Sequence, residues 1–406
     1  MDIVVQKFGG TSVANLECMC KVKEKVMIPL KQGKKVAVVL SAMAGETNRL
    51  LEMAKKWSPH PDPAEMDVLI ATGEQVSVAL FAILLKQAGV KARSLLGFQI
   101  PIRTDRDFGR ARILDIDAEK LKNYFQKYDV LVIAGFQGCD WENRITTLGR
   151  GGSDTSAVAI AAALQANLCE IYTDVDGVYT TDPNICSSAR RIDKISYDEM
   201  LEMASMGAKV LQIRSVEFAK KYNIPILVKS TFKDGPGTLV TQEDETMELA
   251  MVSGIAYDKN QARITVTDVL DKPGVAANIF EPIAAAGIVV DMIVQNPSRN
   301  GTTDITFTVP REHVEQTLAI LKRKQDELGT SQILADPKVA KISIIGVGMR
   351  NHSGVAAIAF STLKNENINI MIISTSEIKI SCLIEEKYTE LAVRALHEAF
   401  GLDQEN

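Results

Sequence analysis

The first 230 residues alternate short apolar runs with longer stretches of helical periodicity. Six apolar runs have the length and composition of buried strands: residues 3–8, 36–40, 92–96, 130–134, 168–173 and 226–228. Helical patterns lie between them, for example over residues 66–87 and 153–166. Strands that alternate with helices are typical of a mainly parallel sheet sandwiched by helices. The sequence therefore predicts an α/β domain over residues 1–232.

The pattern changes after residue 232. Residues 233–250 combine the turn residues Asp234-Gly235-Pro236-Gly237 with an acidic run, and we interpret them as a linker. In the remainder, Gly-Val-Ala-Ala at 274–277 recurs 80 residues later, at 354–357. Strand-like runs flank each copy, at 264–266, 287–290, 342–344 and 367–370. This repeat predicts two α+β modules of order βαββαβ, over residues 251–336 and 337–406.

The second module lacks a last strand, because the chain ends soon after the helix predicted over residues 388–400. A spare apolar run, 251–257, precedes the first module. We predict that this run completes the second module, so that the two modules are interleaved. The prediction requires residues 252–256 to pair beside the second module.

Composition and charge narrow the class of protein. The chain has 406 residues, 46% of them hydrophobic and 24% charged, which excludes collagen-like and disordered classes. A net charge of -5 without basic clusters argues against nucleic-acid binding. No apolar run approaches the roughly 20 residues of a membrane span, and the N-terminus lacks a signal-peptide pattern. We therefore expect a cytoplasmic protein with no nucleic-acid or membrane partner.

Cysteine and histidine spacing gives no metal site. The six cysteines form no Cys-x-x-Cys pair, so we expect free thiols in a reducing compartment. The four histidines are far apart in sequence, which argues against a zinc enzyme or a Ser-His-Asp hydrolase.

Three glycine-edged segments carry candidate chemistry. The first run ends in Lys7-Phe8-Gly9-Gly10-Thr11-Ser12, where two glycines and a following helix favour an anion and the lysine can neutralise a phosphate. The same residues also suit a plain tight turn. The second segment contains Gly149-Arg150-Gly151-Gly152-Ser153-Asp154. Arg150 offers a fork for a carboxylate or phosphate, and Ser153 could simply cap the next helix.

Asp154 is an unusual residue at an anion-binding turn, and could orient cations, act as a base or bind magnesium. The third segment, residues 173–183, follows a strand and so lies at the carboxyl edge of the sheet. Its carboxylates could contact ribose hydroxyls or a magnesium–nucleotide. The same residues would also suit an Asx-rich loop without a ligand. Lys209 could add a second cation. The chain has neither a P-loop nor a dinucleotide-binding Gly-x-Gly-x-x-Gly.

Taken in order, these segments resemble the aspartate kinases of the amino-acid kinase family, as do Ala71-Thr72-Gly73-Glu74 and Phe136-Gln137-Gly138. The C-terminal repeat resembles a pair of ACT domains, which bind amino acids. The resemblance covers essentially the whole chain. It implies transfer of a phosphoryl group from ATP, with Mg²⁺, to the side-chain carboxylate of L-aspartate, the first step toward lysine, threonine and methionine. It also implies feedback inhibition by lysine, threonine or both.

The resemblance implies a role for individual residues. Lys7 and Lys209 contact the phosphates, Asp154 holds these lysines, and Arg150 and Glu74 anchor the carboxylate and ammonium of aspartate. The implied aspartate pocket comprises Thr47, Glu74, Arg150, Gly151, Gly152 and Ser153. The implied nucleotide contacts are Lys7, Phe8, Gly9, Gly10, Ser41, Thr173, Asp174, Tyr179, Asp182 and Lys209.

The ACT pair is expected to hold effectors and to form a homodimer or higher oligomer. The implied effector residues are Asp271, Gly274, Val275, Ala276, Gln295 and Asn296 in the first copy, and Ser353, Gly354, Val355, Asn369 and Ile370 in the second. Asp271 could pair with the ammonium group of an effector, whereas the second copy has Asn351 at the corresponding position. We therefore expect the first site to bind an amino acid more strongly. A plain scaffold role for these turns remains open. A separately translated C-terminal subunit beginning near Met251 is also consistent with this layout.

Two other functions remain open. Another amino-acid kinase family enzyme could act on glutamate or a nucleotide, although Glu74, Arg150 and the ACT pair argue against it. A catalytically inactive amino-acid sensor could use the C-terminal repeat alone, although the presence of Lys7, Arg150, Asp154 and Lys209 argues against that.

Overall fold

A computed structural model describes residues 2–205, 210–247, 250–296 and 301–404. The chain divides into two compact units. The N-terminal unit comprises Met1–Tyr179 and Arg191–Met247, and the C-terminal unit comprises Thr180–Arg190 and Glu248–Asn406. A short segment of the N-terminal half, Thr180–Arg190, therefore belongs to the C-terminal unit. The predicted linker and module boundaries stay predictions.

The N-terminal unit is built on an eight-stranded sheet. Its strands are β1 Ile3–Phe8, β2 Lys35–Leu40, β3 Ala92–Leu95, β6 Val130–Ala134, β9 Cys169–Thr173, β10 Lys194–Ser196, β11 Ile226–Ser230 and β12 Thr238–Thr241. They lie in the order β10-β12-β11-β9-β1-β2-β6-β3. All pairs are parallel except that between β11 and β12. All six strands predicted in this half are present, and the mainly parallel α/β fold is confirmed.

Helices and a smaller sheet complete this unit. The helices are α1 Leu16–Lys31, α2 Glu46–Lys55, α3 Pro63–Ile70, α4 Thr72–Gln87, α5 Ala118–Phe125, α6 Gly152–Leu164, α7 Tyr197–Ser205 and α8 Ile213–Tyr222. The strands of the smaller sheet are β4 Ile102–Thr104, β5 Ile113–Ile116, β7 Gln137–Cys139 and β8 Ile145–Thr147. They lie in the order β5-β4-β7-β8.

Helix α6 is buried along nearly its whole length, because its alanine-rich sequence lets it approach the sheet closely. At Gly135, which follows β6, a Cβ atom would lie 2.7 Å from Oγ of Ser153. The close approach places the first turn of α6 directly against the carboxyl ends of the central strands.

The helix predicted over residues 66–87 is interrupted at Ala71, between α3 and α4. Taken together, Pro63–Gln87 is long and apolar enough to cross a membrane by length and composition, which the sequence analysis did not anticipate. Half of its most apolar window is nevertheless buried inside the fold. It also carries two buried carboxylates, Asp67 and Glu74. These features are those of a core helix.

The C-terminal unit is built on one antiparallel sheet. Its strands are β13 Gly254–Leu270, β14 Ile293–Gln295, β15 Thr302–Pro310, β16 Gln332–Ile345, β17 Ile372–Thr375 and β18 Lys379–Glu385. They lie in the order β14-β15-β13-β16-β18-β17. The helices are α9 Val275–Ala285, α10 Val314–Arg323, α11 Gln325–Leu328, α12 Val355–Asn365 and α13 Thr389–Ala399. The two α+β ACT modules are confirmed, and α9 and α12 keep the 80-residue offset.

The long strands β13 and β16 run through both modules. Ile255 pairs with Ile344, beside the second module, whereas Ile264 pairs with Ala335 in the first. Val252 and Ile255 also pack in the hydrophobic core formed by α12 and α13. This is the register that the interleaved arrangement requires.

Two strand predictions in the repeat are wrong. Residues 287–290 and 367–370 are not strands, and the ladders begin only at Ile293 and Ile372. In each copy the isoleucine after the helix turn, Ile288 or Ile368, is buried in the core of its module. The apolar character of these runs reports burial of that side chain, and the strand pairing begins a few residues later.

Candidate active site

An open cavity of about 720 Å³ lies at the carboxyl edge of the N-terminal sheet. Its walls come from the glycine-rich ends of β1 and β8, the start of α2, the α3–α4 junction and the first turn of α6. Of the predicted site residues, it is lined by Lys7, Gly10, Ser41, Thr47, Glu74, Arg150, Gly151, Gly152, Ser153 and Asp154. The structure thus brings the predicted aspartate pocket together with the first lysine.

Lys7 and Asp154 form a buried ion pair in this cavity. Lys7 is at the end of β1 and Asp154 is in the first turn of α6, and Nζ lies 2.6 Å from Oδ1. Their side chains are 11% and 9% exposed. A Cβ atom on Gly9 would lie 3.3 Å from Nζ of Lys7. Because glycine has no side chain, the turn leaves the ammonium group of Lys7 accessible to a ligand. The pair holds one cationic group at a fixed place beside the glycine turn.

Glu74 is a buried carboxylate with one oxygen left unpaired. The backbone N–H of Ala42 donates to Oε1 at 2.9 Å, whereas Oε2 has no hydrogen-bond partner among the described residues. Burial raises the pKa of Glu74 to about 7, and the backbone hydrogen bonds oppose this rise. A cation that entered the cavity would pair with Oε2 and favour the ionised form. Glu74 is therefore suited to bind an ammonium group.

Arg150 is exposed on a tight loop between β8 and α6. The glycines on both sides are left-handed, with φ 77° at Gly149 and 72° at Gly151. A Cβ atom on Gly151 would lie 1.7 Å from Cγ of Gln212, so only glycine fits there. The guanidinium makes no ion pair with any residue that the structure describes. It remains available to bind an anion from the cavity.

A second group of predicted residues lies at the neighbouring strand ends. The N–H of Gly9 donates to the carbonyl of Tyr172 at 3.4 Å, and the N–H of Thr231 donates to the carbonyl of Thr173 at 2.9 Å. Ser12 and Thr231 share a buried hydrogen bond of 2.7 Å between their hydroxyls. The ends of β1, β9 and β11 therefore meet beside the glycine turn.

Several predicted nucleotide contacts have contacts of their own within the protein, and their role stays a prediction. Thr173 donates to Asp174 within its own loop, and Tyr179 donates to Asp176. Phe8 is fully buried and stacks on a core tyrosine, so its side chain is unavailable to a ligand. Asp182 belongs to the C-terminal unit, where it accepts a hydrogen bond from the hydroxyl of Tyr257 at 2.8 Å. Lys209 lies outside the described residues.

The predicted effector turns are open at their helix ends. Gly274 and Gly354 are left-handed N-caps of α9 and α12, and neither helix has a side-chain cap. Val275 and Val355 point into the hydrophobic cores, so only their backbones could meet an effector. The remaining predicted residues are exposed or partly exposed: Asp271, Ala276, Gln295, Asn296, Ser353, Asn369 and Ile370.

The sequence analysis missed two features of the cavity wall. Phe136 lines the cavity with φ 65°, which is rare for a bulky residue and marks local strain. The motif around it was recognised but gave no sign of this conformation. Asp67 also lines the cavity, and a carboxylate in the apolar helix α3 gave no local sign of this position.

Comparisons with protein families agree with this geometry. Residues 2–230 match the amino acid kinase family, and residues 263–327 and 342–400 each match an ACT domain. The first match covers the described cavity in full.

The same assignment follows from individual relatives. An aspartate kinase from Pseudomonas putida is 55% identical over 404 residues, which cover 99% of this chain and 98% of that protein. The crystal structure of E. coli aspartokinase III in complex with aspartate and ADP has a TM-score of 0.82 at 29% identity, and covers 98% of this chain and 99% of that one. Its complex with lysine and aspartate has a TM-score of 0.77 at 29% identity, with the same coverage. The chain therefore belongs to the amino acid kinase family and, within it, to the aspartate kinases that carry two C-terminal ACT domains.

Proposed function

We propose that this chain transfers the γ-phosphoryl group of ATP to the side-chain carboxylate of L-aspartate. The observation that carries the proposal is the unpartnered Oε2 of Glu74 in a cavity that also presents Arg150 and Lys7. An α-amino acid offers an ammonium and a carboxylate, which match Glu74 and Arg150. Its side-chain carboxylate would then lie toward Lys7 and the glycine turn.

The reaction needs positioning and positive charge rather than a general base. The side-chain carboxylate of aspartate is already ionised at pH 7. One of its oxygens bonds to the γ-phosphorus while the bond from that phosphorus to the β–γ bridging oxygen breaks, giving aspartyl phosphate and ADP. Two anions must meet, so Lys7 offsets charge at the phosphate and Asp154 holds Lys7 in place. Mg²⁺ enters as part of the nucleotide substrate and neutralises further charge.

Trapping of the acyl phosphate with hydroxylamine tests this proposal. We expect hydroxamate and ADP to form together with L-aspartate, and neither to form with L-glutamate or a nucleoside monophosphate. Equal turnover of glutamate or a nucleotide would favour another amino-acid kinase reaction. A folded protein that consumes no ATP with any of these acceptors would favour the inactive sensor.

We also propose that lysine, threonine or both inhibit the enzyme by binding at the ACT turns. The uncapped helix starts at Gly274 and Gly354 offer backbone N–H groups to an effector carboxylate, and exposed Asp271 offers a charge to its ammonium. The lysine complex of E. coli aspartokinase III supports an amino-acid effector for this fold. The exposed edge strands β14 and β17 also support pairing with a second copy, which would cover them.

Inhibition curves with lysine and threonine, separately and together, measure this regulation. We expect Asp271→Asn to raise the effector concentration needed for half-inhibition about tenfold, because a charge-assisted hydrogen bond is lost. Asn351→Ala, in the second turn, should have a smaller effect. If neither amino acid changes the activity or the melting temperature of the wild type, the regulatory proposal is wrong.

A further inference from the structure

Asp67 is a fully buried carboxylate in the wall of the cavity, and each of its hydrogen bonds joins it to another element. From helix α3, its Oδ2 accepts the backbone N–H of Thr147 at 2.7 Å and that of Gly109 at 3.0 Å. Its Oδ1 accepts the hydroxyl of Thr147 at 2.6 Å. All three donors are neutral. Burial raises the pKa of Asp67, and the hydrogen bonds from Thr147 and Gly109 oppose that rise.

Both donor residues lie beside the loop that carries Arg150. Thr147 is the last residue of β8, three positions before the arginine. Gly109 lies against Gly149, where a Cβ atom would be 3.0 Å from the Gly109 carbonyl oxygen. The backbone of Thr147 is also tied to the Gly109 loop, because its carbonyl accepts the N–H of Ala111 at 2.9 Å. The carboxylate of Asp67 thus fixes both strands of backbone that support the arginine loop.

Arg214 holds the same backbone from a different helix. Its guanidinium, from α8, donates to the carbonyl of Leu148 at 2.6 Å and to that of Ala111 at 2.9 Å. The N–H of Leu148 donates to the carbonyl of Phe136 at 2.9 Å. The backbone at the end of β8, where the loop begins, is therefore held on several sides. Among the described hydrogen-bond partners of this backbone, Asp67 is the only carboxylate.

We propose that Asp67 is a positioning residue that sets the place of Arg150 and so determines the affinity for the amino-acid substrate. The inference rests on the proposed function, in which Arg150 binds the substrate carboxylate. Asp67 donates nothing to the substrate and holds no cation of its own among the described residues. It orients the arginine through the backbone of Thr147 and Gly109.

Steady-state kinetics of Asp67→Ala, with Asp140→Ala as the matched control, tests this role. Asp140 is also a buried carboxylate that accepts two backbone N–H groups, from Glu142 and Arg144, but it lies outside the cavity wall. We expect Asp67→Ala to raise KM for aspartate about tenfold or more, because a displaced binding group loses its alignment. KM for ATP should stay unchanged. Asp140→Ala should lower the melting temperature comparably without changing KM for aspartate.

Conservative variants separate geometry from general destabilisation. In Asp67→Asn the amide oxygen can accept both N–H groups and the amide nitrogen can donate to the Thr147 hydroxyl, so KM for aspartate should return close to the wild-type value. Thr147→Val removes one hydrogen bond and should raise the same KM more modestly. These two variants carry the test if Asp67→Ala does not fold.

The outcomes are distinct from a failure of the proposed function. If the wild type makes no aspartyl phosphate, the proposed function fails. If the wild type is active but Asp67→Ala leaves KM for aspartate unchanged, or raises it no more than Asp140→Ala does, the role of Asp67 is wrong. Equal increases of KM for aspartate and ATP would also contradict it.

Discussion

The N-terminal and C-terminal units differ in the acidic and basic side chains that they bury. Among the described residues, the buried groups of this kind in the N-terminal unit include Lys7, Asp67, Glu74, Asp140, Asp154 and Glu199. Among the described residues of the C-terminal unit, the only buried acidic or basic side chains are Lys341 and His397. Both have partners within that unit. Lys341 pairs with Asp291, and His397 shares a hydrogen bond with Thr180.

Buried charge without a protein partner costs stability, so its presence needs a reason. In the N-terminal unit, Asp140 accepts two backbone N–H groups and pairs with Arg106, and Glu199 accepts the N–H and the hydroxyl of Ser196, which accounts for both. The other four line one cavity, and Glu74 still has a buried oxygen unpaired. The comparison teaches that satisfied buried charges support the fold, whereas an unsatisfied one at a cavity marks where a charged ligand completes the structure.

The largest effect in this comparison should come from the two buried lysines. We expect Lys7→Ala to lower kcat by about 10²–10³-fold with a modest change in KM for ATP, because a preorganised charge at the phosphate is lost. Lys341→Ala also breaks the ion pair of a buried lysine, here with the exposed Asp291, and should lower the melting temperature while leaving kcat unchanged. Comparable kcat losses in both variants would show that broken ion pairs, rather than catalysis, explain the effect.

A second test removes the charge of Glu74 without changing its shape. Glu74→Gln should raise KM for aspartate about 10–100-fold, because the ammonium loses a charged hydrogen-bond partner. KM for ATP should change little. Glu199→Gln, at a buried carboxylate outside the cavity, should leave both values unchanged. Equal changes in the two KM values of Glu74→Gln would argue against an ammonium site.

The same variant predicts a pH dependence of known sign. The pKa of Glu74 rises from 4.5 to about 7 on folding, so the folded state holds the proton more tightly between these values and wild-type stability falls as pH rises across them. Glu74→Gln removes this penalty, and should be more stable than the wild type above pH 7 by up to about 3 kcal/mol. Urea unfolding at pH 5 and pH 8 measures the difference. A variant less stable at pH 8 would contradict the account.

The smallest effect separates strain from crowding at two glycines with the same φ of 72°. A Cβ atom on Gly151 would lie 1.7 Å from the Gln212 side chain, whereas one on Gly287, in the C-terminal unit, would have nothing within 4 Å. Gly287→Ala should cost about 1–2 kcal/mol from the left-handed backbone alone. Gly151→Ala should cost more and also raise KM for aspartate. Equal losses of stability in unfolding experiments would show that Gln212 gives way easily.

The sequence predicted those features that repeat or alternate along the chain. The buried strands of the parallel sheet follow from apolar runs, and the C-terminal repeat follows from the recurrence of Gly-Val-Ala-Ala after 80 residues. The pairing of residue 255 beside the second module follows from the strand that this module lacks. The glycine motifs also placed Lys7, Arg150 and Asp154 near one another.

The remainder depends on contacts between distant residues. Nothing local shows that Asp67 accepts hydrogen bonds from Gly109 and Thr147, or that the pKa of Glu74 is raised by burial. The resemblance implies that Asp182 contacts the nucleotide, and no local pattern shows that this residue belongs to the C-terminal unit and accepts a hydrogen bond from Tyr257 there. A motif gives residue types, and the fold decides which of them share a site.

Proton release on substrate binding tests the central claim most directly. Burial raises the pKa of Glu74 to about 7 in the free protein, and binding of an ammonium favours the ionised form, which lowers that pKa. Calorimetric titration with L-aspartate at pH 7, in buffers of different ionisation enthalpy, should therefore show net proton release from the wild type. Glu74→Gln should release none. No release from the wild type, or the same release from both proteins, would contradict the account.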